Sequence, residues 1–153
     1  NQMQRGMMLK NEYFLADAIS IMIERGAKFR TNEISTWLDT GTIEATLDTN
    51  KILLEQNTHK RRKLRSANVK IVEPVAIHPS ARISNSTIGP HTSIGANFKL
   101  EYCQLADSML EADCEIKDAA LSHSVIGKEA TVKGRNDGNV MQLNIGDSSS
   151  IIL

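Results

Sequence analysis

From Ile71 onward, aliphatic residues return at steps of six or five: Ile71, Ile77, Ile83, Ile88, Ile94, Leu100, Leu105, Leu110, Ile116, Leu121, Ile126 and Val132. Ile145 and Ile151 resume the step of six after an interruption. Neither the 3.6-residue period of an amphipathic helix nor the two-residue alternation of a long strand produces this spacing. It fits a narrow prism whose flat sides are very short strands, each turning one aliphatic side chain inward to stack on the next rung. Three sides of this length close a coil of about 16 to 18 residues, and each coil pairs its backbone only with its neighbours. Ile77, Ile94, Leu110 and Ile126, spaced 17, 16 and 16 residues apart, then share one interior column.

The small residues support the prism. Glycine follows the aliphatic residue at Ile88-Gly89, Ile94-Gly95, Ile126-Gly127 and Ile145-Gly146, as suits turns with positive φ. Four residues after the aliphatic one stands something small: Ala81, Thr92, Cys114, Ala130 or Ser149. Corners leave little room for bulk, and Phe98 breaks the rule. Between Lys133 and Val140 the register fails in the stretch Gly134-Arg135-Asn136-Asp137-Gly138-Asn139, which predicts a protruding loop before a last partial coil from Leu143 to Leu153.

The residues before the repeat change to helical spacing. Residues 12 to 26 place Phe14, Leu15, Ala18, Ile19, Met22 and Ile23 on one face, which predicts an amphipathic helix stopped by Gly26 after a basic last turn. A short strand is expected over Lys28 to Ile34. Trp37-Leu38-Asp39-Thr40-Gly41-Thr42 then forms a turn into a second helix from about Ile43 to Gln56, with Thr42 placed to cap it. The basic run from His59 to Arg65 has no interleaved aromatics. It reads as a solvated linker, the alternative being a grip on a phosphate-bearing effector or nucleic acid. The expected division is therefore 1–58, a linker over 59–70, and the repeat over 71–153.

Composition adds mainly exclusions. Lysine plus arginine equals aspartate plus glutamate at 18 each, so net charge gives no pull toward nucleic acid or a membrane surface. Cys103 and Cys114 lack neighbours at zinc-ligand spacing and read as reduced, partly buried thiols of a cytoplasmic protein. No apolar run approaches the roughly 18 residues of a membrane span, and the first residues do not read as a signal peptide. The chain opens at Asn1 and enters a helical pattern almost at once, so a piece of a longer protein is expected.

The repeat resembles the left-handed parallel β-helix of hexapeptide-repeat proteins. The handedness comes from that resemblance, because the general preference for right-handed crossovers predicts the opposite. The segment Glu12-Tyr13-Phe14-Leu15-Ala16-Asp17-Ala18-Ile19, the glycine-stopped helix and the string Trp37-Leu38-Asp39-Thr40-Gly41-Thr42 resemble the end of the catalytic domain in sugar nucleotidyltransferases. The nearest type looks like the glucose-1-phosphate thymidylyltransferases that carry a β-helix tail, and the closing Leu143-Asn144-Ile145-Gly146-Asp147 fits it too. The expected fold is mainly β, a β-helix preceded by a small α-helical remnant of an α/β domain.

That family implies attack of a sugar-1-phosphate on the α-phosphate of a nucleoside triphosphate with release of pyrophosphate, aided by Mg2+. One metal-binding aspartate of the family maps onto Asp39; its partner lies earlier in the catalytic domain. The family's glycine-rich nucleotide loop has no counterpart here, so the isolated chain is expected to be inactive. Trp37, Gly41, Thr42 and Asp17 are substrate-side candidates. Trp37 reads first as a packing residue, and Asp17 and Glu12 as acids favoured at a helix start.

Two rival classes share the fold. A hexapeptide acyltransferase would use a histidine as general base toward an acyl-CoA thioester, and His78, His91 and His123 lie in the repeat. A non-catalytic β-helix scaffold is the other. The open ends of a β-helix and the apolar finish Ile151-Ile152-Leu153 further predict a homo-oligomer.

Overall fold

The computed structural model describes residues 14–56, 68–135 and 137–153. Contacts divide the chain into a unit ending at Trp37 and a second unit from Leu38 to Leu153. The second unit is built on three parallel sheets, whose strands are numbered in chain order. Sheet 1 contains β1 (Lys70–Ile71), β4 (Thr87–Ile88), β7 (Gln104–Ala106), β10 (Ala120–Ser122) and β13 (Val140–Met141). Sheet 2 contains β2 (Val75–Ile77), β5 (Thr92–Ile94), β8 (Met109–Leu110), β11 (Val125–Ile126) and β14 (Asn144–Ile145). Sheet 3 contains β3 (Arg82–Ser84), β6 (Lys99–Glu101), β9 (Glu115–Lys117), β12 (Thr131–Lys133) and β15 (Ser150–Ile152). Each coil contributes one strand to each sheet, so the fold is a β-helix of about five turns.

The aliphatic columns follow the sequence spacing. Ile77, Ile94, Leu110, Ile126 and Ile145 pair successively down sheet 2. Ile83, Leu100, Ile116, Val132 and Ile151 do so down sheet 3, and Ile71, Ile88, Leu105, Leu121 and Met141 down sheet 1. From Ile83 to Val132 every one of these side chains is at most 6% exposed. Met141 corrects one boundary: the last coil resumes at Val140, directly after the loop, rather than at Leu143. Gly134 begins that loop by donating its N–H to the Lys117 carbonyl at 2.9 Å, and a Cβ there would lie 2.2 Å from the Asp118 oxygen.

The corners correct the reading of the small residues. Left-handed backbone recurs at Asn68, Asn85, Tyr102 and Asp118 on one edge, at His91, Asp107 and His123 on the second, and at Asn97, Asp113, Glu129 and Ser148 on the third. Asparagine and aspartate tolerate this conformation better than other non-glycine residues, and here they stack. Asn97 Nδ2 donates to Asp113 Oδ1 at 2.9 Å, and Asn68 Nδ2 to Asn85 Oδ1 at 3.2 Å. Of the four glycines after an aliphatic residue, Gly89 alone has positive φ, at +96°. Gly95 and Gly127 serve close approach instead: a Cβ would lie 2.7 Å from the Ala112 nitrogen and 2.6 Å from the Asp147 nitrogen of the next coil.

Hydroxyls at the corners take further backbone donors. Ser124 N–H donates to Ser108 Oγ at 3.1 Å, and Leu143 N–H to Ser124 Oγ at 2.9 Å. Each hydroxyl in turn donates to the carbonyl two residues before it, Ser108 to Ala106 and Ser124 to Ser122. Phe98, the exception to the small-residue rule, is fully buried in the core. The residues at its position one coil before and after are Ala81 and Cys114, whose small size makes room for the ring.

The helical segments match the sequence in part. Helix α1 spans Leu15–Glu24, and Gly26 ends it at φ +85°. Gly26 N–H bonds to the Ile23 carbonyl and Ala27 N–H to that of Met22, the Schellman pattern, with the basic Arg25 at the C-cap. The expected apolar face is not the buried one: Leu15, Met22 and Ile23 are exposed, and Ile21 is buried. No strand forms over residues 28–34, where nothing among the described residues supplies a ladder partner. Helix α2 spans Ile43–Gln56, as the pattern predicts. The basic run from His59 to Arg65, like Glu12 and Tyr13, lies outside the described residues.

Candidate functional site

The turn that carries Asp39 is held by its own side chains and by the first half of α2. Asp39 Oδ1 accepts the Gly41 N–H at 2.9 Å, closing a local turn of the kind aspartate favours. A Cβ on Gly41 would lie 3.3 Å from that oxygen, so a larger residue would crowd the same bond. The Asp39 carbonyl accepts the Thr49 hydroxyl at 2.7 Å. Thr46 Oγ1 reaches both the Thr42 carbonyl at 2.8 Å and the Thr40 carbonyl at 3.3 Å. Thr42 Oγ1 accepts the Ala45 N–H at 3.1 Å and caps the helix as expected. Sequence reasoning found Thr42 and missed Thr46 and Thr49, although their spacing after Thr42 marks a threonine stripe facing back to the turn.

Asp39, Gly41 and Thr42 are thus brought together. Trp37 is 81% exposed, so it does not pack as the first reading expected. Asp17 stands in the first turn of α1, half-buried, where a carboxylate complements the helix dipole. Both belong to the unit that ends at Trp37.

Asp39 is exposed, and its second carboxylate oxygen is not engaged by the described residues. Magnesium takes one or two protein carboxylates and completes its octahedron with water and phosphate oxygens, so the donor chemistry fits as one ligand. No group of three or more histidine, cysteine, aspartate or glutamate side chains converges on a cation position among the described residues. The turn therefore leaves one carboxylate oxygen open, and the described residues around it form no complete cation site.

The second cluster joins α2 to the β-helix. Asn50 and Leu54 are the buried residues of α2, 8% and 4% exposed, and the helix lies against β5. Asn50 Nδ2 donates to the His91 carbonyl at 3.1 Å, and its Oδ1 accepts the Ser93 hydroxyl at 2.5 Å. The His91 ring bridges two carboxylates, Asp107 Oδ1 at 3.0 Å from Nδ1 and Glu55 Oε1 at 3.1 Å from Nε2. His91 is consequently a docking residue rather than an exposed surface group. His78 and His123 are exposed, and each Nδ1 pairs with a serine hydroxyl at 2.8 Å, Ser80 and Ser122 respectively. Cys103 and Cys114 are free and buried, as expected. Burial pushes the Cys103 thiol up to about 11 and raises Cys114 as well, so both are poor nucleophiles.

The architecture is a β-helix with a capped helix docked on one sheet. The relatives add to it. A glucose-1-phosphate thymidylyltransferase from Streptomyces griseus is 25% identical over 127 residues, covering 82% of this chain and 36% of that protein. A probable mannose-1-phosphate guanyltransferase from Schizosaccharomyces pombe is 28% identical over 110 residues, covering 69% and 27%. A low-salt glycan biosynthesis nucleotidyltransferase from Haloferax volcanii is 26% identical over 167 residues, covering 94% and 47%. No family model matches the chain. The chain is thus similar over most of its length to nucleotidyltransferases, and it spans between about a quarter and a half of the length of these curated relatives. Among the described residues no helix is long and apolar enough to cross a membrane.

Proposed function

We propose that this chain serves a nucleotidyltransferase that makes a nucleoside-diphosphate sugar. An oxygen of the sugar-1-phosphate attacks the α-phosphorus of a nucleoside triphosphate, and the bond to pyrophosphate breaks. In this reading the Asp39 turn supplies one carboxylate for Mg2+, which when bound neutralises charge on the triphosphate. The β-helix serves assembly or regulation. The observation that carries the reading is the Asp39–Gly41 turn, fixed at the head of α2 with one carboxylate oxygen uncommitted, in a chain similar to relatives named for this chemistry. The acyltransferase alternative is not favoured: the relatives are named for nucleotidyl transfer, and of the three candidate histidines His91 is held on both ring nitrogens.

The test is nucleotide-sugar synthesis by the full-length protein, with glucose-1-phosphate and mannose-1-phosphate against each nucleoside triphosphate. Asp39→Asn should lower turnover by orders of magnitude and leave the unfolding midpoint unchanged. The amide oxygen still accepts the Gly41 N–H while the charge is lost. A wild-type protein that uses no sugar phosphate, or an Asp39→Asn variant with full activity, overturns the reading.

The proposal includes a homo-oligomer formed through the β-helix. The expected end cap from Ile151-Ile152-Leu153 loses force, because Ile151 joins the sheet 3 column and Leu153 packs against the core. What supports assembly is exposed apolar surface on the last coil, Val140 in sheet 1 and Ile152 in sheet 3, 64% and 81% exposed. Light scattering decides it: a concentration-independent monomer of 16.9 kDa from this chain contradicts the oligomer.

A further inference from the structure

The buried polar face of α2 has no role in the reaction as proposed, and it is the feature of the second unit that its repeat does not explain. Helix α2 has 14 residues, a length at which a helix is marginal in water unless something packs on it. Its two buried side chains are Asn50 and Leu54, and one of them is polar. Leu54 supplies the apolar part of the docking, and the hydrogen bonds of Asn50 add direction to it.

Those bonds converge on one corner of the β-helix, at the entry to β5. Asn50 is matched at both ends of its amide, donating to the His91 carbonyl and accepting from Ser93. One helical turn further on, Glu55 meets His91 Nε2, while the opposite ring nitrogen meets Asp107 of the following coil. The contact thus fixes α2 both along its axis and in rotation, since the two bonds to His91 come from helix positions five residues apart. Through Thr46 and Thr49, in its first half, α2 also holds the Asp39 turn. Hydrogen bonds thus run from Asp107 to the His91 ring and from Asn50 to the His91 carbonyl, and Thr49, the residue before Asn50, bonds the backbone of Asp39.

We propose that this corner is a positioning device for the Asp39 turn, with Asn50 and His91 as its positioning residues. The proposal rests on the reading of Asp39 as a metal ligand and assigns the β-helix a part in it. Ligand geometry must be held to within about 0.5 Å for productive chemistry, and a loop aspartate reaches that only through its supports. The clasp sets the helix, the helix sets the threonines, and the threonines set the turn. A change in the second or third coil is thereby felt at Asp39 without touching substrate.

The experiment uses the full-length protein with Asn50→Ala, His91→Ala and the milder Ser93→Ala, which keeps the test open if a larger change prevents folding. Amide exchange of α2 should rise on the order of tenfold in Asn50→Ala and His91→Ala, and less in Ser93→Ala, with protection of the β-helix columns retained. In steady-state assays the Mg2+ concentration for half-maximal rate should rise several-fold, with a much smaller change in kcat at saturating Mg2+. Unchanged exchange of α2 in all three variants overturns the clasp. Faster exchange with an unchanged Mg2+ dependence in an active enzyme overturns the positioning role. Faster exchange in a protein whose wild type uses no sugar phosphate supports the clasp and sinks the proposed reaction instead.

Discussion

The β-helix and the segment from Leu38 to Gln56 belong to one unit and are held in opposite ways. In the β-helix each aliphatic residue stacks on its counterpart one coil away, so any single contact is one of many alike. In the segment each contact occurs once: one aspartate oxygen, three threonine hydroxyls and one asparagine amide. The repeat gives rigidity by redundancy. The segment gives a defined turn geometry through contacts that have no duplicates. The scaffold is therefore where large stability effects should appear, and the turn is where small ones should matter for chemistry.

The largest effect is expected in the middle of the sheet 2 column. Ile94 is 4% exposed and stacks between Ile77 and Leu110. Ile94→Asp places a charge where no partner can reach it and should cost more than about 3 kcal/mol, or abolish folding. Ile94→Ala, at about 2 to 4 kcal/mol, keeps the measurement possible by urea unfolding. Near-wild-type stability of either variant would remove the distinction between redundant scaffold and singular segment.

A smaller and sharper difference lies between two glycines that the sequence makes equivalent. Gly89 and Gly146 both follow a column isoleucine. At Gly89 the backbone has φ +96° and a Cβ would lie 1.9 Å from the Val72 carbonyl oxygen, whereas at Gly146 nothing lies within 4 Å. Gly89→Ala should destabilise by about 2 kcal/mol or more, and Gly146→Ala should stay within about 0.5 kcal/mol. Equal losses in thermal unfolding would mean that the corners are set by the repeat pattern alone.

What the sequence discloses follows the same line between repetition and singularity. The column Ile77, Ile94, Leu110 and Ile126 was legible because a spacing error of one residue would have been exposed at the next coil. Helix α2 was legible from local signals, the turn before it and a capping threonine. The glycine roles were only half legible: positive φ and close approach leave the same letter in the sequence, and coordinates alone separate Gly89 from Gly95. The strand expected over residues 28–34 failed because β-propensity without a partner forms no ladder. At the candidate site, Asp39, Gly41 and Thr42 were read from a motif whose members lie within four residues. The Asn50–His91 bond spans 41 residues, between a helix asparagine and a histidine whose periodic place marks a corner and not a contact. Nothing periodic points to it.

The smallest expected effect tests whether the segment responds on its own. Thr42 Oγ1 accepts one N–H, that of Ala45, at the exposed start of α2. Thr42→Ala leaves that donor to water and should cost about 1 kcal/mol, the usual loss for a helix cap. The loss should be local, because the docking bonds of Asn50 and Glu55 lie about two and three and a half turns further along the helix. Amide exchange should therefore quicken in the first turn of α2 and remain unchanged at Ile94, Leu110 and Ile126. Thr42→Ser keeps the acceptor oxygen and should restore the slow exchange, which separates loss of the cap from loss of the methyl group. If the β-helix amides quicken together with the first turn of α2, the two regions unfold as one, and the turn is no more adjustable than the scaffold that carries it.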